Sequence, residues 1–345
     1  MVGPRHMTRI PLGVVLVVTV SCAASAPVPP PEPVLVKRAQ MHMGTVVSIT
    51  AVAPAKDMAD AAAAAGFAEI RRLEGLLSTW IPDSELSQLN AAAGRARVSL
   101  SPETFALLER SIEIAGLTGG AFNIAVGPVL RAWGFGKAER VPSDEELAVL
   151  RPLIDLDQLS LNPVAHDAFL ARPGMSVDVG GIGKGFAADL AVAAMQSAGA
   201  RAGIVALSGD IKTFGRPPDG ERFVFGIQHP RRPDAVLGTL ELHDEAISTA
   251  GDYERYFEED GVRYHHILDP DTLRPAQASQ SVTIVAREGV MADGLDTGIF
   301  VLGPERGMEL IERVPDVEGV IVDRDGRVRV SSGLKGRFRM SDPAR

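Results

Sequence analysis

The sequence predicts an α+β fold: a single large domain with mixed and antiparallel sheets and flanking helices. Three observations predict it. The chain has 345 residues, 46% of them hydrophobic, which supplies a large core and excludes a disordered chain. Runs of β-branched residues alternate with segments whose apolar residues recur every three or four positions. No long polar linker divides residues 35–340. At about 150 residues per domain two units would be possible, but the elements interleave without a break.

The chain opens on an address. Arg5, His6 and Arg9 precede an apolar run over residues 10–20, too short to span a bilayer as a helix. This is the pattern of an export signal, placed at residues 1–21. Two cleavage sites compete. Ala24-Ser25-Ala26 is followed by Pro27, which disfavours a cut there. Thr19-Val20-Ser21 precedes Cys22, the one cysteine of the chain, and resembles a bacterial lipoprotein box. Cys22 is therefore read as a lipid attachment site, with residues 22–34 a Pro-rich tether and the body spanning 35–345. The expected location is outside the cytoplasm, on a membrane.

Within the body, residues 44–52 read as a first strand. Residues 58–77 read as a helix, with Phe67, Ile70, Leu73 and Leu77 on one face. Ser101-Pro102 starts a second helix, with Phe105, Leu108 and Ile112 on its apolar face. Ser143 and Glu146 form a capping-box pattern. Residues 187–198 form an Ala-rich helix stopped by Gly199. Residues 204–207, 223–227, 237–242 and 281–286 fit short strands. Residues 320–323 and 327–330 flank Asp325-Gly326, a hairpin signal.

Composition narrows function. Net charge is −9, and no basic block marks the body, so nucleic acid is not an expected partner. Aromatics at 5% offer no stacking platform for single strands. One cysteine excludes an internal disulfide, a multi-thiolate zinc site and an iron–sulfur cluster. A cysteine nucleophile is absent from the body, and Ser208-Gly209-Asp210 lacks the nucleophile-elbow pattern.

Four segments carry chemistry. Residues 177–185 (VDVGGIGKG) read as a strand-to-helix turn rich in glycine. A helix N-terminus with Lys184 beside it suits a phosphate, although a tight turn with an exposed lysine reads equally well. In residues 291–297, Asp293, Asp296 and Thr297 share one face if the segment is helical. Their hard oxygens match Mg²⁺, while an acidic helix start is the plainer reading. In residues 264–270, His266 is a candidate general base or holder of a phosphate oxygen, or one of a histidine pair at a strand end before a Pro-led turn. Residues 119–136 alternate Gly, Pro and aromatics. They suit either a loop flanking a planar ring or a packed surface loop with Trp133 and Phe135 buried.

Taken together and in order, these segments resemble the ApbE family of FAD:protein FMN transferases. The resemblance rests on Met43-Gly44-Thr45, Leu77-Ser78-Thr79-Trp80, Gly120-Ala121-Phe122-Asn123, Val126-Gly127-Pro128 with Trp133-Gly134-Phe135-Gly136, residues 178–185, residues 248–253, residues 266–270 and residues 292–297. It implies an enzyme that splits FAD with Mg²⁺, attaches FMN by a phosphoester to a threonine or serine of an acceptor flavoprotein, and releases AMP. The acceptor would bear a short Asp-Gly-x-Ser/Thr-Gly-Ala-Thr-like sequence. It implies FAD contacts at Met43, Trp80, Ala121, Phe122, Asn123, Asp178, Lys184 and Leu268. It implies metal ligands at Gly181, Asp293, Asp296 and Thr297. His266 is the expected activator of the acceptor hydroxyl, with Asp269 the alternative. An FAD pyrophosphatase and a non-catalytic flavin-binding lipoprotein are the competing readings. Four positions depart from the family pattern: Asn123 for Asp, Ser208 for Gly, Ala250 for Ser and Leu273 for Gly.

Overall fold

The strands of the main sheet follow one another in space as they do along the chain, which makes the sheet an antiparallel meander interrupted by helical and β-hairpin insertions. The computed structural model describes Gly3, residues 32–135 and residues 137–341. The signal, Cys22, Gly136 and the tether up to residue 31 lie outside the described residues. The residues from Glu32 onward belong to one compact unit.

The main sheet comprises β1 (Val34–His42), β2 (Thr45–Ala53), β3 (Ala202–Leu207), β4 (Asp210–Phe214), β5 (Ala246–Gly251), β6 (Ser279–Ala286), β7 (Val317–Asp323) and β8 (Val328–Val330). Each pairs antiparallel with the next. Residue 34, expected to end the tether, is already in β1. β1, β4 and β5 were not among the expected strands; charged and polar residues hide the alternation in β1 and β4, and β5 is short and rich in small residues. β1 is an edge strand with most of its residues exposed. β6 is buried along its whole length, as a central strand covered on both faces must be.

Eight helices are described: α1 (Lys56–Leu77), α2 (Glu85–Ala91), α3 (Pro102–Leu117), α4 (Gly127–Trp133), α5 (Asp144–Leu150), α6 (Gly183–Ser197), α7 (Gly289–Leu302) and α8 (Pro304–Arg313). Helices α1, α6, α7 and α8 cover one face of the sheet. Side-chain alternation along the strands sorts the core. Val282, Ile284 and Ile321 face the helices, whereas Ile247, Val285, Val320 and Val322 face a second, three-stranded sheet. That sheet consists of Phe223–His229, Arg232–Leu242 and Arg339–Met340, and it brings Ile227, Leu240 and Leu242 to the contact.

Local signals match their elements. Ser101 caps α3 by accepting from Thr104 N–H, and the Ser143–Glu146 capping box opens α5. Asp325-Gly326 joins β7 to β8, with Gly326 at φ +82°. Ile112 departs from expectation: it is 38% exposed, and α3 buries Phe105, Leu107, Leu108, Ile114 and Ala115 instead. The true stripe runs one position to the side, since Ile114 and Ala115, not Ile112, continue the Leu107–Leu108 face. Residues 175–178 join no sheet. They run extended because the Asn90 side chain imitates a neighbouring strand, donating to the Val177 carbonyl (2.9 Å) and accepting from its N–H (2.7 Å).

Candidate active site

Helix α6 begins inside the glycine segment at Gly183, four residues before the Ala-rich run, so Lys184 sits in its first turn. Gly185 lets α7 approach. A Cβ there would overlap the Gly289 carbonyl and lie 2.7 Å from Asp293 Cβ. At that contact the Gly185 N–H donates to Asp293 Oδ2 at 2.8 Å. The helix N-terminus that the sequence offers to a phosphate is thus turned toward a carboxylate of the protein itself.

Asp293 belongs to a cluster. Asp210, Asp293 and Asp296 are buried, with ligand oxygens within 4.8 Å of one another. Asp210 starts β4, and the other two lie on one face of α7. Ser248, from β5, bonds Asp210 and lies 2.6 Å from Asp296 Oδ2. Thr297 Oγ1 donates to Asp296 Oδ1 at 3.1 Å. A Cβ built on Gly181 would lie 3.0 Å from Thr297 Oγ1, so the glycine loop touches α7 there. Gly181, Asp293, Asp296 and Thr297, expected to share a metal, do come together.

Electrostatics follow from this crowding. Burial, then the Asp210 charge, pushes Asp293 up to about 7. Burial, then Asp293 and Asp210, holds Asp296 well above the usual carboxylate range. Lys184 is ion-paired with Asp210. Burial works against its charge, but Asp210, Asp293 and Asp296 outweigh burial and keep it protonated. Ser248 has one hydrogen for two carboxyl groups, a geometry that suits a cluster holding a proton. Three hard oxygen donors with one lysine for compensation form a set that fits a divalent oxygen-seeking cation.

Asp210 and Ser248 are the residues that sequence reasoning missed. The signal was present: an aspartate directly after the tight turn closing an apolar strand. That turn explains a departure as well. Ser208 sits at φ +58°, where a glycine carries no strain. Leu273, the other position expected to be glycine, sits at φ +62° and is 1% exposed. Its carbonyl accepts from Trp133 Nε1 at 2.9 Å.

The other expected contacts divide into presented and packed residues. Trp80 is 70% exposed, with Lys137 Nζ 3.9 Å from its ring centroid. Met43 and Gly44 form a two-residue turn with φ +49° and +71°, the type I′ pattern, and Met43 N–H donates to Glu74 Oε1 at 2.7 Å. Ala121 is half-buried just after Gly119 and Gly120, both at positive φ. Asp178 Oδ1 accepts from Gly180 N–H at 2.8 Å. Phe122 and Leu268 are buried: Phe122 packs in the main core, and Leu268 joins Trp133 and Leu273. Trp133 is buried at the end of α4 and stacked on half-buried Phe135, so the segment expected to be a loop carries a helix and packs its tryptophan inward. Asn123 caps the turn after it, accepting from Ala125 N–H (2.8 Å) while donating to the Ile154 carbonyl (2.9 Å). A carboxylate could make only the first of these bonds.

His266 and Asp269 separate clearly. Both Asp269 oxygens are occupied within their own turn, by Asp271 N–H (2.8 Å) and the Thr272 hydroxyl (3.1 Å). His266 Nδ1 lies 3.2 Å from the Arg255 carbonyl, which can only accept, so Nδ1 carries the hydrogen and Nε2 keeps its lone pair. Burial, then Arg255, pushes the imidazole down to about 3, and Lys184 adds to the effect.

An α+β domain with a buried three-carboxylate cluster at a helix–helix crossing has a set of groups that could hold a cation. Similarity to known proteins gives the family. The sequence model of the ApbE family matches residues 43–321. The FAD:protein FMN transferase of Vibrio cholerae is 37% identical over 268 residues, covering 75% of this chain and 79% of its own. That of Treponema pallidum is 36% identical over 327 residues, covering 88% and 89%. The crystal structure of the ApbE protein from Thermotoga maritima superposes with a TM-score of 0.81 at 31% identity, covering 88% of this chain and 99% of that one. The chain belongs to the ApbE family.

Proposed function

We propose that this chain is an FAD:protein FMN transferase, which cleaves FAD, attaches FMN to a threonine or serine hydroxyl of an acceptor protein, and releases AMP. The observation that carries this reading is the meeting of Asp210, Asp293 and Asp296 beside Lys184 in a chain of this family. Asp210, Asp293 and Asp296, with Thr297 and Gly181 beside them, are the residues that would hold Mg²⁺. The bound cation would neutralise charge on the diphosphate. Lys184 supplies a fixed positive charge for the phosphate oxygens. Neutral His266 offers Nε2 to the acceptor hydroxyl. As that oxygen bonds to the FMN phosphorus, its proton passes to Nε2, and the P–O bond to AMP breaks with its electron pair on AMP. Exposed Trp80 presents a face on which a ring of FAD can stack.

The same reading makes residues 1–21 an export signal and Cys22 the lipid anchor on the periplasmic or extracellular side of a membrane. Among the described residues no helix is long and apolar enough to cross a membrane. Mass spectrometry of the mature N-terminus tests this: an unmodified chain starting after Cys22 would sink it.

The functional test incubates the chain with FAD and Mg²⁺, with and without an acceptor protein, and measures AMP and protein-bound flavin together. Equal amounts of both, only with acceptor, are expected. AMP at the same rate without acceptor would make it an FAD pyrophosphatase. Bound FAD with no AMP would make it a flavin-binding protein.

A further inference from the structure

Strand β4 sends two charges to its helix-covered face. Asp210 and Lys212 are two residues apart, so they share that face. Asp210 pairs with Lys184 of α6. Lys212 Nζ lies 3.8 Å from Asp189 Oδ1, on the same helix, and donates to the Arg287 carbonyl just before α7. The two pairs run with opposite polarity between one strand and one helix.

Asp189 has a second set of partners. Its carboxylate oxygens accept the N–H of Gly289 at 2.8 Å and of Val290 at 2.9 Å, the first residues of α7. The residue at the N-cap of α7, Glu288, makes no side-chain cap, and its carboxylate pairs with Arg110. The first turn of α7 is therefore capped by a residue of the neighbouring helix. About one and two turns further along α7 stand Asp293 and Asp296. At the same crossing Gly185 and Gly289 meet backbone to backbone.

We infer that Asp189, held by Lys212, is a positioning residue for the cation site: it sets the rotation and depth of α7 so that Asp293 and Asp296 face Asp210. Lys212 and Asp210 share a strand and Asp189 and Lys184 share a helix, so one four-residue frame holds both the ligands and the helix that carries them. Partners that orient metal ligands from behind typically change metal affinity by about 10–100-fold when removed.

The inference rests on the cation reading of Asp210, Asp293 and Asp296, and its test separates the two. Mg²⁺ binding to the FAD-free chain is measured by titration calorimetry, and amide exchange is followed over residues 289–297. Wild type, Asp189→Ala, Asp189→Asn and Lys212→Met are compared with Leu310→Ala, a buried α8 change that lowers stability away from this frame. Asp189→Ala is expected to weaken Mg²⁺ binding by about tenfold or more and to speed exchange at Gly289 and Val290. Asp189→Asn keeps one acceptor oxygen and should fall between, while Leu310→Ala should bind Mg²⁺ as wild type does. Should Asp189→Ala not melt cooperatively, Asp189→Asn and Lys212→Met give the same readout. Mg²⁺ affinity within twofold of wild type in the folded Asp189 and Lys212 variants overturns the inference, whatever happens to stability. A wild-type chain that takes up no Mg²⁺ overturns the cation reading itself.

Discussion

Gly185 donates its backbone N–H to Asp293 Oδ2 at 2.8 Å across the closest point between α6 and α7. The bond exists because position 185 has no side chain. Replacing Gly185 with Ala would drive a methyl group into the Gly289 carbonyl and Asp293 Cβ. Backbone cannot step aside as a flexible side chain can. We expect Gly185→Ala to cost about 1–3 kcal/mol of stability, the usual range for overpacking. It should also lower Mg²⁺-dependent AMP release, since the helices must part where Asp293 is held. Urea unfolding and an AMP assay check both, and wild-type values for both would refute the close-contact account.

The acidic cluster opposes stability in the absence of a cation. Asp296 is held well above the usual carboxylate range by burial and by Asp293 and Asp210. A carboxyl group raised in this way destabilises the fold as pH rises through its ordinary range, because the native state resists losing the proton. Asp296→Asn should therefore melt higher than wild type at pH 8 in EDTA, and added Mg²⁺ should raise the melting temperature of wild type but not of this variant. AMP release should fall by roughly a thousandfold, about 4 kcal/mol in the barrier. Equal melting temperatures in EDTA would contradict the repulsion argument.

Ser208 and Leu273 both hold positive φ at positions where the resemblance leads one to expect glycine, yet they should respond in opposite directions. A left-handed backbone costs a non-glycine residue about 1–2 kcal/mol. Ser208 is exposed in its turn, so Ser208→Gly should be neutral or gain up to about 1 kcal/mol. Leu273 offsets the same strain by burial among Trp133, Val129 and Leu268. Removing that side chain leaves a cavity worth about 2–5 kcal/mol, so Leu273→Gly should lose about 2 kcal/mol net. Denaturant midpoints for the two variants decide the matter, and a gain at Leu273 would show that strain outweighs packing.

His266 predicts a pH dependence with a definite sign. Its imidazole is pushed down to about 3 in the folded protein, against an ordinary value of 6.5. The unfolded chain binds the proton first as pH falls. The contribution of His266 to stability is thus complete above pH 6.5 and is lost progressively as pH drops toward 3. In saturating Mg²⁺, His266→Gln should show a shallower fall in melting temperature between pH 6.5 and pH 4. The same variant should lower flavin transfer by about 10²–10⁴-fold, the range for removing a general base. A parallel pH profile would mean that the ring titrates freely, and unchanged transfer would remove it from the chemistry.

Much of this protein was legible in short stretches of sequence, and the reason is that those features are local. Ser101 and the Ser143–Glu146 pair cap their helices through bonds spanning three residues. The Phe67, Ile70, Leu73 and Leu77 stripe needs only the helical period. Asp293, Asp296 and Thr297 share a face for the same reason. Asp269 was the alternative to His266 under the family resemblance, and its own turn uses both of its oxygens. Ile112 was misplaced because period alone does not set which side of α3 meets the core.

What the tertiary structure alone decided is which distant groups meet. Asp210 joins the α7 carboxylates only because β4 lies beneath the crossing of α6 and α7, and no spacing in the chain records that. Asp189 looks like one more helical carboxylate until α7 places two backbone N–H groups upon it. The glycine segment read as a cradle for phosphate. In the fold the N–H of Gly185 faces Asp293, because a buried carboxylate and a helix N-terminus attract each other over short range. Local hydrogen bonding and side-chain period are written in the order of residues. The charge environment of a buried site is a sum over groups brought together from far along the chain, and packing alone selects them.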